Sequence, residues 1–379
     1  MRISKLLFVI FLSSAMVTNA QNARFSQLGT PTQMFNPSLT GRFDGKARVG
    51  ALYSHQDSRF GVMHHVNGFV EYKFGKYRSS GDENYSFVAR NTEGKKVLAE
   101  AKDKINDQLR GAAGYWAAGL NYYQYGESNS PLSAKFISAS VARHFYPRRN
   151  KYWGVGGQVT YAMGEVDETK GKEFDREISG DGFAYPQGVM TDRKGDKNYV
   201  DANVGAYYGM VTEPVAFEIG GAMYHLFYPQ ADIFDRDDEK KLRHRVTAHS
   251  MLRLKFNDRW GIVQKNYYWQ EGLYLRSREF NKDSMHISDF WAGVEFYKTN
   301  PLKNTNLNFG LYTRSFRTVM PYLNLYLGKA LNLRATYEHP LNFGKFTAYT
   351  AERAEVAMLF SFKRNTNPGT EFYRKVNFW

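Results

Sequence analysis

The side chains of this chain that could do chemistry are its histidines, its acidic clusters and a set of arginines on alternating segments. A nucleophilic hydrolase needs a serine, a histidine and a carboxylate or amide in one cluster. His249-Ser250 is the nearest pairing, but adjacent residues of a strand point to opposite faces and cannot act together as base and nucleophile. His64-His65, His144, His225, His244 and His339 are scattered without metal-ligand spacing, and zero cysteines exclude thiol and disulfide chemistry. Asp232, Asp235, Asp237, Asp238 and Glu239 offer the oxygen ligands calcium takes. They lack the glycine and regular spacing of a calcium loop and stand beside Lys240, Lys241 and Arg243, so they read as a solvated charged loop. The chain is therefore expected to be no enzyme, with no catalytic residue, no cofactor and no metal. Arg245, Arg253, Arg334 and Glu338 remain. They would set ion preference in a pore, or pair with one another inside a closed barrel.

The elements carrying these residues alternate with period two, apolar on one side and small or polar on the other, as the wall of a membrane barrel requires. From Val319, one face holds Val319, Pro321, Leu323, Leu325 and Leu327 and the other Met320, Tyr322, Asn324, Tyr326 and Gly328. Leu331, Leu333, Ala335 and Tyr337 then oppose Asn332, Arg334, Thr336 and Glu338, and Val356, Met358, Phe360 and Phe362 form a third apolar row. Arg48 to Tyr53, Tyr152 to Tyr161, Val215 to Met223 and Arg245 to Phe256 repeat the scheme. Strands of a soluble sandwich alternate too, but segments of about 10 to 14 residues exceed the usual soluble strand and match tilted spanning strands.

The bulk properties agree. A mean hydropathy of -0.55 excludes a bundle of membrane helices. Residues 1–20 read as a secretory signal, with Arg2 and Lys5 ahead of the apolar run Leu6 to Leu12 and small residues before Gln21. The formal charge of +14 falls to +12 without that segment, which carries two basic and no acidic side chains. An exported basic chain is expected to meet anionic lipid head groups and acidic surfaces rather than nucleic acid. Aromatics at 16%, with 27 Tyr and 28 Phe, suit rings packed at membrane interfaces.

The reading is thus an all-β transmembrane antiparallel barrel of about 14 strands spanning residues 45–363, with the stretch from Trp260 to Phe316 ambiguous by one or two strands. Short connections at Pro147 to Lys151, Thr212 to Pro214 and Asn257 to Arg259 fall on one side, which is expected to be periplasmic. The longer ones, Val166 to Lys197 and Pro229 to Leu242, would face outward. The exception is Tyr77 to Ala113, on the short-turn side. There Leu98, Ala101, Ile105 and Leu109 recur at helical spacing, so Glu93 to Leu109 predicts an amphipathic helix, either a plain insertion or a docking element for a periplasmic partner. Residues 21–44 are expected as a periplasmic segment before the barrel and residues 364–379 as a tail after it. The lumen would be partly filled by side chains, with room for a narrow channel or an inserted segment.

Ahead of the first strand stand Phe25-Ser26-Gln27 and Asn36-Pro37-Ser38-Leu39-Thr40-Gly41, and the strand itself contains Arg48-Val49 and Tyr53-Ser54-His55-Gln56. These motifs resemble the PorP/SprF family of type IX secretion, in particular Phe25, Ser26, Gln27, Asn36, Pro37 and Gly41. Asp201 to Tyr208, Phe217 to Leu226 with Pro229-Gln230, and Leu331 to His339 resemble its middle hairpin and penultimate strand. The chain departs from the family in the ending of strand one, the long Tyr77 to Ala113 insertion and the basic-aromatic tail. The resemblance implies an outer-membrane protein of a Bacteroidota bacterium that assists export or surface attachment of C-terminal-signal cargo, gliding adhesins among them. Expected partners are outer-membrane lipid, type IX components in the periplasm and the secreted cargo protein. The alternative is a passive channel or hydrophobic-solute transporter.

Overall fold

In the computed structural model every period-two segment becomes one stave of a single closed sheet. The structure describes residues 25–27, 29–43, 45–58, 61–74, 114–127, 132–148, 150–166, 197–212, 214–229, 242, 244–257, 259–274, 284–300, 305–327, 330–341 and 352–362. The strands are β1 (Ala47–Ser58), β2 (Gly61–Phe74), β3 (Gly114–Glu127), β4 (Leu132–Arg148), β5 (Lys151–Val166), β6 (Lys197–Val211) and β7 (Val215–Tyr224). They continue with β8 (Arg245–Lys255), β9 (Trp260–Tyr274), β10 (Ser284–Asn300), β11 (Thr305–Arg314), β12 (Thr318–Leu327), β13 (Leu331–Pro340) and β14 (Glu352–Phe362). Each pairs antiparallel with its sequence neighbours, and β1 closes on β14 from Ala47↔Phe362 to Asp57↔Glu352. Closure satisfies every ladder and leaves no sheet edge, which the absence of water in the bilayer core demands.

The stretch between Trp260 and Phe316 resolves into β9, β10 and β11, giving fourteen strands of 10 to 17 residues. The predicted faces hold. On β14, Arg353, Glu355, Ala357 and Leu359 are buried while Val356, Met358, Phe360 and Phe362 are exposed. On β8, Thr247, His249 and Met251 point inward and Val246 points out. The outward rows are the lipid-facing surface of an outer-membrane barrel.

The connections across 149–150, 212–214 and 256–259 lie at the barrel end where β1 begins and β14 finishes. The insertion after Phe74 also leaves from this short-turn end. Its candidate docking residues Leu98, Ala101, Ile105 and Leu109, the acidic cluster 232–239, residues 1–20 and the tail after Phe362 all lie outside the described residues.

The main departure from expectation concerns the chain before β1. Residues 25–43 do not hang below the barrel but are enclosed by its wall, as a short helix α1 (Thr32–Phe35) and a 3-10 turn (Pro37–Leu39) joined by extended backbone. Asn36, Ser38, Leu39, Thr40 and Gln33 are all fully buried. Among the possibilities the sequence left for the lumen, the inserted segment is the one realised.

Candidate functional site

Polar groups enclosed away from water are as a rule hydrogen-bonded, and most of those on the inserted segment find partners on the strands, Gln27 Oε1 and Arg42 Nε excepted. At its start, the Glu355 carboxylate on β14 accepts from the backbone N–H groups of Ser26 and Gln27, both at 2.7 Å. The Gln27 side-chain amide donates to the Glu355 carbonyl at 3.1 Å. Ser26 Oγ donates to Glu338 on β13. Phe25 packs edge-on against Tyr123 at 5.3 Å and His65 at 6.0 Å. Arg334 reaches the Thr30 hydroxyl and the Gly29 carbonyl. Thus Arg334 and Glu338, read from the sequence as lumen charges that would line a pore or pair with each other, instead bind the inserted segment.

Asn36 is the central anchor. Its Oδ1 caps the 3-10 turn by accepting from Ser38 N at 3.0 Å and Ser38 Oγ at 2.6 Å. Its Nδ2 donates to the carbonyls of Ala206 on β6 and Gly221 on β7, at 3.2 and 3.1 Å. Pro37 follows at the first position of the turn, where a missing N–H and a fixed φ are no handicap. Glycines of the wall make room: a Cβ on Gly205 would lie 2.0 Å from Asn36 Oδ1, and one on Gly156 would lie 2.6 Å from the Pro37 carbonyl oxygen. Gln33 donates to the Leu120 carbonyl and accepts from Ser140, Thr247 donates to the Phe35 carbonyl at 2.7 Å, and Phe35 packs edge-on against Tyr267.

At the short-turn end, Gly41 adopts φ +80°, where a Cβ would also strike the Ala117 side chain at 2.3 Å. Its N–H donates to Glu71 at 3.0 Å and its carbonyl accepts from Tyr115 at 3.0 Å. Arg48 of β1 completes the site on Glu71 at 2.5 Å. His144 bridges the Thr40 carbonyl, at 2.7 Å, and the Tyr207 hydroxyl. Arg42 pairs with Glu218 on β7, and its guanidinium lies over the rings of Tyr152 and Tyr207 at 4.7 and 5.1 Å. The segment therefore threads the lumen from the long-loop half, where Phe25 meets Tyr123, to the short-turn end, where β1 starts.

All six motif residues fall in this plug: Phe25, Ser26, Gln27, Asn36, Pro37 and Gly41. The sequence did not disclose the wall side of the site, namely Glu71, Tyr115, Ser140, His144, Glu218 and Glu355. The available signal was an inner face carrying more charge than a packed barrel can leave unpaired. His249 and Ser250 point to opposite faces, as strand geometry requires, with His249 Nε2 3.6 Å from Glu218. Among the described residues no group of three His, Asp or Glu could hold a metal.

Above the plug lies a cavity of about 90 Å³, lined by inward residues of β3 to β9. Its floor is Phe25, Gln27, Thr30, Pro31 and Met34 of the plug.

Among solved structures the chain resembles outer-membrane barrels at low identity. The TodX deltaS2S3 mutant monoaromatic hydrocarbon channel is 9% identical with a TM-score of 0.46, covering 87% of this chain and 92% of that one. The translocator domain of autotransporter NalP from Neisseria meningitidis is 12% identical with a TM-score of 0.39, covering 88% and 95%. The Pseudomonas putida toluene transporter TodX is 8% identical with a TM-score of 0.41, covering 89% and 93%. No curated protein matches. The family model of the type IX secretion system membrane protein PorP/SprF matches residues 17–358. That match spans the plug and nearly the whole barrel, so this fourteen-stranded outer-membrane protein belongs to the PorP/SprF family of the type IX secretion system.

Proposed function

We propose that this type IX component works as a closed barrel that assists the export or surface attachment of C-terminal-signal cargo such as adhesins, after cleavage of residues 1–20. In this role it catalyses no reaction and passes no solute through its lumen. The observation that carries the reading is the plug: residues 25–43 fill the lumen and are tied to strands from β2 around to β14, so the barrel offers surfaces rather than a pore. On this reading the insertion with Leu98, Ala101, Ile105 and Leu109 meets periplasmic components of the machine, and the long-loop end meets the cargo.

The test is a clean deletion of the gene followed by mass spectrometry of surface and culture-medium proteins carrying type IX signals, with the outer-membrane profile as control. Selective loss of one or a few cargo proteins is expected, and the purified protein should not conduct in planar bilayers. An unchanged secretome together with steady conductance would overturn the reading in favour of a channel.

A further inference from the structure

The outward row of β9 carries carboxamides where most of the wall carries hydrocarbon. Val263, Lys265, Tyr267 and Trp269 of this strand are buried, so the alternation turns Ile262, Gln264, Asn266, Tyr268 and Gln270 to the lipid side. Mid-strand on the outward rows of β3, β6, β11 and β14 stand Leu120, Val204, Phe309 and Met358, all exposed. β9 has Gln264 and Asn266 there instead.

Their depth is set by the strand. Trp260 opens β9 at the short-turn end, exposed and with the Lys298 ammonium 4.7 Å from its ring centroid, as in an interfacial aromatic belt. At a rise of about 3.3 Å per residue and a tilt of about 45°, Gln264 lies roughly 9 Å and Asn266 roughly 14 Å farther along the membrane normal. The apolar band of such a barrel is about 25 Å tall, so both side chains face its interior and cannot reach the head groups. Asn266 donates from Nδ2 to Ser250 Oγ on β8 at 3.2 Å, and the Tyr268 hydroxyl donates to Gln270 Oε1 at 3.1 Å. Gln264 is exposed and has no hydrogen-bond partner among the described residues. Lipid chains offer an amide no partner and no water reaches it, so a row of this kind is stable only when protein covers it. Its neighbours allow close approach: Asn266 stands between Ser250 of β8 and Ala292 of β10, and Tyr268 beside Ala248. Small residues around polar ones are how membrane chains come near enough to hydrogen-bond.

The chemistry of the row also specifies the partner. Two copies of one barrel enter the membrane the same way up, so the two-fold axis relating them runs along the membrane normal and sets each residue against its own depth on the other copy. Such a contact needs side chains that bond to their own kind. Amides and hydroxyls do so because each carries a donor and an acceptor, whereas a charge would face its like. Ser250, Gln264, Asn266, Tyr268 and Gln270 are all uncharged and all qualify. We infer that the outward face of β8 to β10 is the contact between two copies of this chain within the membrane. Gln264 and Asn266 meet their counterparts on the second copy, and Leu252 and Val294, which flank Gln264 on either side, close around them. This contact requires only that the barrel is inserted, and it goes beyond the secretion reading.

The chain has no cysteine, so single cysteines introduced into the full-length protein report the contact without background. Oxidation of Gln264→Cys or Asn266→Cys in intact outer membranes should give a disulfide-linked species of twice the chain's mass. Val356→Cys, exposed on β14 five strands away around the wall, should not. In lipid bilayers, photobleaching of singly labelled protein should show two steps for the parent, and Gln264→Leu combined with Asn266→Leu should weaken the dimer by about tenfold or more. Heat-modified mobility checks that each variant is a folded barrel; if the leucine variant is not, the cysteine variants decide alone. Folded cysteine variants that fail to cross-link, equal cross-linking of Val356→Cys, or a folded leucine variant that dimerises like the parent would overturn the assignment. Cross-linking only to a protein of another mass would overturn it too, by giving the row to a different membrane protein.

Discussion

Removing Arg42 tests most directly what holds the plug in place. Its guanidinium is 3% exposed and its partner carboxylate on Glu218 is fully buried, so Arg42→Ala leaves a buried charge without its main counter-charge. Breaking such a pair from one side costs about 3–5 kcal/mol. Loss of contact with Tyr152 and Tyr207 adds about 0.5–2 kcal/mol. The wall does not depend on Arg42, because its ladders close without it. The loss therefore falls on the local opening of residues 25–43 rather than on the barrel. Together these come to about 3.5–7 kcal/mol, so at about 1.4 kcal/mol per tenfold the open population should rise by about two and a half to five orders of magnitude. Hydrogen exchange of the plug peptides in nanodiscs reads this out, with the strands as internal control. Arg42→Met combined with Glu218→Leu removes both charges and should return exchange most of the way to the parent, since apolar replacement of a buried pair is often neutral. If the single variant exchanges like the parent, or the double variant exchanges as fast as the single, the pair is not what retains the plug.

Three other outcomes follow from the same geometry. Gly205→Val places carbon where Asn36 Oδ1 sits, 2.0 Å from an ideal Cβ; the barrel should still assemble, shown by heat-modified mobility, but conduct in planar bilayers where the parent does not. Val356→Lys puts a charge on the outward row of β14 and should lower barrel stability by about 2–4 kcal/mol near mid-membrane, measured by urea titration in lipid, while Ala357→Ser on the inner face should change it far less. Truncation after Lys363 should leave the protein inserted, because Phe362 already closes the last strand on β1 through its pairing with Ala47; degradation of the truncated chain would refute this.

The wall was legible because a membrane strand is a periodic object. Each residue from Val319 to Leu327 or from Leu331 to Glu338 had to face lipid or lumen, and the alternation of Leu with Asn, Arg and Tyr decides which. The strand count thus came out of the sequence apart from the stretch around β10, where Trp291-Ala292-Gly293-Val294-Glu295-Phe296 offers a weak contrast between faces, whereas turn length was a poorer guide, since the connections after β1 and β11 are short at the long-loop end and the insertion after β2 is long at the other.

The plug was not legible for the converse reason. Residues 25–43 have no period, since a chain threading a lumen touches different strands at every step and is enclosed on all sides. Asn36-Pro37 and Gly41 read locally as turn signals, which they are, but a turn can sit in solvent or be sealed inside a wall with the same three residues. What separates the two cases is the partner inventory on the wall. Glu71, Glu218 and Glu355 stand on inward positions with almost no exposure, and water in an open channel would solvate them without help. A filled lumen must instead supply donors, and the donors here are the N–H groups of Ser26, Gln27 and Gly41 and the guanidinium of Arg42. The glycines bear the same mark from the other side. Gly156 and Gly205 stand on inner faces where an open pore would tolerate any small polar residue, yet each lies where a Cβ would collide with the plug. An inner face that combines isolated carboxylates with glycines at mid-strand is thus evidence for an inserted polar segment, and a polar stretch rich in Asn, Ser, Thr and Gln just before the first strand is where to look for it.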